Sequence, residues 1–384
     1  MDEKTIDGVD EEALTPVVQR VLDDTTARLR TWRIDPVDYR NFSEQRALYR
    51  AHGTADLRGR TRRWSAILKS FKLVANDQDP VQDPRHYTYW KREADLYASG
   101  LLDGLPPRFA APRYLGGQEE PNRVLVWLED LFTSQPRWPL APYRAAARAL
   151  GEFNGASLVG RVPDLPWLAS PASVLSYYGS TKPELQPAFD FLAQPERWSD
   201  PRIVAVLGEP LRLDLVREIY AEEARWIERL GRLPHVFCHN DAFRDNLYAR
   251  RRGGHQQTAA FDWQLAGLNA LGTEVGLLVG GSILFVGYPA ERAADLEGAA
   301  MEEYLGGLRE VGLRPDEEQV RLAYLASAVL RLGMITAAWL AWSLDEPEFV
   351  SEFWRRPAEE STRTFAGVAA FLATCAERAL EVVS

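Results

Sequence analysis

Residues 234–263 read PHVFCHNDAFRDNLYARRRGGHQQTAAFDW. Two short apolar runs organise the stretch. Residues 236–238 lead into His239, Asn240 and Asp241, and residues 259–261 deliver Asp262 and Trp263. Asn246 stands five residues after Asp241. A short apolar run that stops abruptly at polar residues reads as a buried strand handing over to a loop. The pattern therefore puts Asp241 and Asn246 on one loop and Asp262 at the end of a second strand.

Those residue types at that spacing suit phosphoryl transfer. An attacking hydroxyl needs a carboxylate to orient it and accept its proton, and nucleotide phosphates need a divalent metal held by oxygen ligands. Asp241 is the candidate base. Asn246 can bind a metal without adding charge, and Asp262 can bind it and bridge it to the β- and γ-phosphates. Plainer readings exist for each residue. Asp241 and Asn246 could cap turns, and Asp262 could cap a helix. Taken together, those readings leave the spacing unexplained.

The segments HNDAFRDN and AAFDW resemble the H-x-D-x-x-x-x-N motif and the later apolar-D-W of the aminoglycoside phosphotransferase and choline kinase-like family, relatives of the protein kinases. That resemblance implies an α+β, bilobal protein kinase-like fold, with a small antiparallel-sheet lobe and a large, mainly helical lobe. It also implies ATP or GTP with Mg2+, and a hydroxyl acceptor. His239 reads as a structural residue pinning the loop, because a single His without Cys or His neighbours is a poor zinc site. Glu274, in GTEVGLL, stands where the family usually has Asp in a G-x-D-L stretch. It is expected to anchor the catalytic loop.

The upstream sequence fits the same plan. Residues 11–32 carry apolar side chains at helical spacing, and residues 37–42, 46–53 and 64–71 read as three strands. The turn NFSEQR, where a phosphate-covering loop is expected, contains no glycine. Ser43 is its candidate phosphate contact, with a plain hairpin turn as the alternative. Lys69 ends the apolar part of WSAILKSFK and resembles the kinase strand lysine, with Lys72 as its rival. Glu93, in the helix of HYTYWKREADLYASGLL, is placed to pair with Lys69. The run RVLVWLE, 123–129, resembles the linker between lobes, so the backbone of Trp127, Leu128 and Glu129 is assigned the adenine edge. Domains of 1–129 and 130–384 follow. Residues 141–158 and 213–230 read as large-lobe helices, 162–198 as an insertion near the acceptor, and the C-terminal third as helical.

A chain of 384 residues with 46% hydrophobic residues can fill two cores, and its net charge of -10 argues against nucleic acid as a partner. Two cysteines and an acidic start, where a secretory signal would be basic and then apolar, point to a reduced, cytoplasmic protein. The apolar runs 275–289 and 326–342 are broken by glycines and by Arg331, so both read as buried helices and no membrane contact is expected. The expected acceptor is a small-molecule hydroxyl, with a Ser or Thr of a peptide as the alternative. A nucleotide-binding module without turnover is the rival from another class. The acidic segment DEPEFVSE, holding Asp345, Glu346, Glu348 and Glu352, reads as an inter-helix loop that could attract a cationic acceptor.

Overall fold

The computed structural model describes residues 8–37, 46–74, 81–131, 137–160, 163–177, 179, 183–252 and 254–383. The chain divides into two compact units. One comprises Met1–Pro84, Thr88–Leu105 and Ala110–Pro136; the other comprises Arg85–Tyr87, Pro106–Phe109 and Arg137–Ser384. The main division thus falls beyond the 129/130 boundary expected from sequence.

The first unit opens with α1 (Glu11–Val21), capped by the Asp10 carboxylate, which accepts the Ala13 N–H at 2.9 Å. Then come β1 (Arg28–Pro36), β2 (Arg46–Leu57), β3 (Arg60–Lys72) and α2 (Arg92–Ala98). The two-residue β4 (Phe109–Ala110) falls where the units divide, and β5 (Tyr114–Glu120) and β6 (Arg123–Glu129) complete the unit. The antiparallel sheet has the order β1-β2-β3-β6-β5. Trp64, Ala66 and Leu68 of β3 pack with Leu125 and Trp127 of β6 against Leu14, Val17 and Val18 of α1. Strand alternation then sends Ile67 and Lys69 to the opposite face.

Residues 11–32 do not form one helix. The chain leaves α1 after Val21, and β1 carries a bulge between Leu29 and Thr31. The extra residue lets Leu29 and Trp32, three apart, both pack on the core, a spacing that imitates a helix in sequence. Residues 38–45 lie outside the described residues, and with them Ser43, its turn and nearly all of the strand expected over 37–42.

The second unit is mainly helical. It contains α3 (Leu140–Val159), α4 (Pro171–Leu175), α5 (Gln186–Ala193), α6 (Pro201–Leu207), α7 (Asp214–Ala221) and α8 (Glu223–Gly231). Four short strands follow: β7 (His235–Cys238), β8 (Leu247–Arg252), β9 (His255–Ala260) and β10 (Gly267–Ala270). After α9 (Thr273–Gly276), a π-helical turn at Leu277–Gly281 and α10 (Ser282–Val286) come α11 (Ala293–Glu310), α12 (Glu317–Asp345), α13 (Pro347–Trp354) and α14 (Ala358–Val383). The single helix expected over 213–230 is interrupted at Glu222, whose φ of -113° and ψ of 25° leave the helical region.

Helix α12 starts at Asp316, whose carboxylate caps Glu318 and Gln319, and is buried along most of its 29 residues. It is long and apolar enough to cross a membrane by length and composition, yet 94% of its apolar window is buried inside the protein. It is a core helix. The expected acidic loop at 345–352 is instead the end of α12 and most of α13, because Pro347 starts a new helix at once. Asp345 is also already neutralised: Arg197 donates to its two oxygens at 2.7 and 2.8 Å.

Helices α3 and α11 cross with backbone against backbone. A Cβ on Gly307 would lie 2.2 Å from the Arg148 carbonyl oxygen, and one on Gly151 would lie 2.1 Å from that of Tyr304. Gly298, also on α11, would meet nothing within 4 Å. Gly307→Ala is therefore expected to cost about 3 kcal/mol of stability, whereas Gly298→Ala adds about 0.5–1 kcal/mol by removing glycine's unfolded-state freedom. Denaturant unfolding of the two variants checks this, and equal effects would contradict so close a crossing.

Candidate active site

In the first unit, the Lys69 Nζ lies 2.8 and 2.7 Å from the two carboxylate oxygens of Glu93 on α2. Glu93 is fully buried, and the lysine side chain is 13% exposed. Both oxygens grip one ammonium group, so the lysine's direction is set. The structure thus joins Lys69 to Glu93, as expected, while Lys72 sits exposed at the end of β3.

Trp127 and Leu128 do not suit the role expected of them. They pair with Leu68 and Ile67 on one side and with Gly116 and Tyr114 on the other, so the sheet itself uses their backbone groups. Glu129 gives its N–H to the Arg113 carbonyl at 3.0 Å, and its carboxylate accepts the Arg113 N–H at 3.2 Å. A nucleotide base could reach these groups only by opening the sheet.

In the second unit, β7 pairs antiparallel with β10, with Cys238 opposite Gly267, and ends just before His239. The His239 Nδ1 accepts the Asp241 N–H at 3.2 Å, and its Nε2 lies 3.1 Å from the Phe261 carbonyl oxygen. A carbonyl can only accept, so the proton sits on Nε2. Both ring nitrogens are committed to the backbone, and the ring stands edge-on to Trp263 at 4.6 Å. His239 is structural.

The β8–β9 hairpin brings Asn246 beside Asp262. Its register sets Leu247 opposite Ala260, and the Phe261 N–H donates to the Asn246 carbonyl at 3.1 Å. The Asn246 Nδ2 donates to the Asp241 carbonyl oxygen at 2.9 Å and to its carboxylate Oδ2 at 2.8 Å. Both partners are acceptors, so the amide nitrogen faces them and the amide oxygen is left for a cation. Asp262 adopts the left-handed region, with φ 64° and ψ 63°, a conformation costing an L residue about 1–2 kcal/mol. Trp263 holds it there: the indole is fully buried, donates to the Ala260 carbonyl at 2.8 Å and packs on Phe153 and Phe237.

Asn240, between His239 and Asp241, is also left-handed, with φ 64°. Its N–H donates to Glu274 Oε1 at 3.0 Å, and its carbonyl accepts from Arg331 Nη1 at 2.9 Å. Its side chain donates to the Leu265 carbonyl at 3.0 Å and accepts from Asn269 Nδ2 at 3.1 Å. The second terminal nitrogen of Arg331 lies 3.9 Å from Asp241 Oδ1. Glu274 therefore anchors the loop as expected. Burial pushes its carboxyl up to about 7, against the pull of the backbone N–H groups of Asn240 and His239. Sequence reasoning missed Asn240, Asn269 and Arg331. The available signal was Arg331, a lone charge in an apolar run.

Among the described residues, no group of three or more His, Cys, Asp or Glu side chains is placed to hold a metal. Asn246 and Asp262 supply two oxygen donors. That small set fits magnesium, which keeps waters and phosphate oxygens as its remaining ligands.

Residues 81–314 match the family model APH, the phosphotransferase enzyme family. No curated protein matches the chain. Among solved structures, the amicoumacin kinase hAmiN in complex with AMP-PNP, Ca2+ and Ami is similar at 14% identity and TM-score 0.50, over 84% of this chain and 86% of that one. A microcompartment-associated aminopropanol kinase matches at 15% identity and TM-score 0.49, over 95% and 97%. A Plasmodium vivax ethanolamine kinase matches at 10% identity and TM-score 0.48, over 95% and 88%. At such identities the likeness is one of fold: α+β and protein kinase-like, with an antiparallel sheet in the first unit and helices in the second.

The Glu274 anchor has a pH signature. Its folded-state pKa, about 7, lies above the ordinary 4.5, so its contribution to stability is complete below 4.5 and is lost as the pH rises through 7. Glu274→Gln keeps an oxygen for the Asn240 N–H and removes the titration. Wild-type stability is expected to fall more steeply than that of Glu274→Gln between about pH 5 and 8, measured by denaturant midpoints. Parallel pH profiles would contradict the buried titration.

Proposed function

The chain belongs to the phosphotransferase enzyme family, and from this we propose that it transfers the γ-phosphate of ATP or GTP, with magnesium, to a hydroxyl of a small molecule. The observation that carries the reading is the hold of the Asn246 amide on the Asp241 carboxylate at 2.8 Å, within a hairpin register that delivers Asp262 alongside.

Asp241 orients the acceptor hydroxyl and takes its proton. The acceptor oxygen forms a new bond to the γ-phosphorus, the bond to the β–γ bridging oxygen breaks, and the nucleoside diphosphate leaves. Asn246 and Asp262 would hold the metal through oxygen atoms, and magnesium bound there would supply charge compensation for the nucleotide phosphates. The Lys69–Glu93 pair is assigned the α- and β-phosphates. Asn246 has two tasks, since the amide that turns its oxygen toward the metal also fixes the base.

For the acceptor, the pairing of Asp345 with Arg197 weakens the case for an acidic rim. Aromatic rings run from the catalytic loop instead. Phe243 meets Phe285 at 5.1 Å, Phe285 meets Trp354 at 6.4 Å, and Trp354 meets Trp339 at 5.2 Å. Trp354 and Trp339 belong to the core, at 5% and 4% exposed, so of these rings the half-buried Phe243 and Phe285 are the ones open to a small acceptor with an apolar or aromatic face.

The test measures nucleoside diphosphate release with a panel of small hydroxyl compounds, and nucleotide binding separately. Asp241→Asn is expected to bind magnesium nucleotide like the wild type but to lose transfer by about a hundredfold or more. Near-normal turnover by that variant would remove Asp241 as the base. Wild-type nucleotide binding without turnover on any acceptor would support a binding module instead.

A further inference from the structure

Arg331 is 3% exposed, in the middle of α12. Its Nη1 donates to the Asn240 carbonyl at 2.9 Å, its Nη2 lies 3.9 Å from Asp241 Oδ1, and its guanidinium carbon stands 5.3 Å from the centre of the Tyr177 ring. A buried guanidinium is costly unless it is paired and hydrogen-bonded, and an apolar residue of similar volume would often serve stability as well or better. Here one face of the group holds the peptide immediately before Asp241, and the next nitrogen faces the carboxylate itself.

The turn of α12 that carries Arg331 is itself specially built. The Tyr220 hydroxyl, from α7, accepts the Met334 N–H at 3.1 Å and lies 2.8 and 3.0 Å from the carbonyl oxygens of Val329 and Leu330. A hydroxyl inserted into a helix ladder sets the local direction of the helix. Gly333 makes the insertion feasible, because a Cβ there would lie 2.8 Å from the tyrosine ring and 3.1 Å from its oxygen. Tyr220, Gly333 and Tyr177 together fix where the guanidinium points.

We propose that Arg331 is a positioning residue for the transfer step: it holds the Asn240 peptide and faces the Asp241 carboxylate, so that the base keeps one orientation. The inference rests on the reading of Asp241 as the base. A purely structural Arg331 would tie α12 to the loop, and its loss would weaken folding and nucleotide binding without singling out turnover.

The experiment uses the full chain and the hydrolysis of magnesium ATP, in which water stands in for the acceptor, following phosphate release in wild type, Asp241→Asn, Arg331→Met, Arg331→Lys and Arg331→Ala. Arg331→Met is expected to lower kcat by about tenfold to a hundredfold, while the KM for ATP changes by less than about twofold, as expected for a transition-state effect. Added guanidinium should restore part of kcat in Arg331→Ala and do nothing for Asp241→Asn. If Arg331→Met fails to fold, Arg331→Lys carries the test, since its shorter stem and lack of a planar fork cannot reproduce the two spaced nitrogens that face the carbonyl and the carboxylate; it should show the same split with a smaller loss. Unchanged kcat in a folded Arg331 variant, or a loss confined to KM, overturns the inference alone. Hydrolysis by Asp241→Asn at the wild-type rate, or no phosphate release by the wild type from ATP and GTP alike, overturns the reading on which it rests.

Discussion

One peptide unit carries the candidate site. Asn240 is held in a left-handed conformation, with its N–H on the Glu274 carboxyl and its carbonyl on the Arg331 guanidinium. Its own amide is bonded at both ends, to Leu265 and Asn269. A backbone so strained persists only where its surroundings over-determine it. The carboxyl comes from α9, the guanidinium from α12 and the second amide from β10. Three separate elements thus converge on the residue between His239 and Asp241, and the direction of the Asp241 carboxylate follows from theirs.

The same economy appears around Asp262. A single buried indole, Trp263, sets the end of the β8–β9 hairpin, and His239 ties that end back to the catalytic loop through the Phe261 carbonyl. The loop and the hairpin therefore hold each other. At the other end of the loop, Ser282 of α10 accepts the Arg244 N–H at 3.3 Å, next to the π-helical turn. Such π segments cost helix regularity and are frequent near functional sites.

Local signals were legible in sequence. An abrupt end to an apolar run marked the strands before His239 and Asp262, and the end of the apolar run in WSAILKSFK favoured Lys69 over Lys72. What could not be read was anything depending on long-range pairing. The bulge in β1 put Leu29 and Trp32 on one face at a helical interval. The hydrogen bonds of Trp127 and Leu128 depend on β5 closing the sheet from the far side. Arg331 was visible as a charge in an apolar helix, but its partner lies about 90 residues earlier, and spacing along the chain says nothing about so distant a contact.

On the proposed function, Asn246 and Asp262 form the metal-dependent part of a nucleotide site. Calorimetric titration with AMP-PNP, with and without magnesium, tests it most directly in the wild type, Asn246→Ala and Asp262→Ala. The wild type should bind much more tightly with magnesium. Asp262→Ala should lose that gain, and Asn246→Ala should lose less of it, because a carboxylate contributes charge that an amide does not. Binding of equal strength in all three proteins, indifferent to magnesium, would contradict the claim.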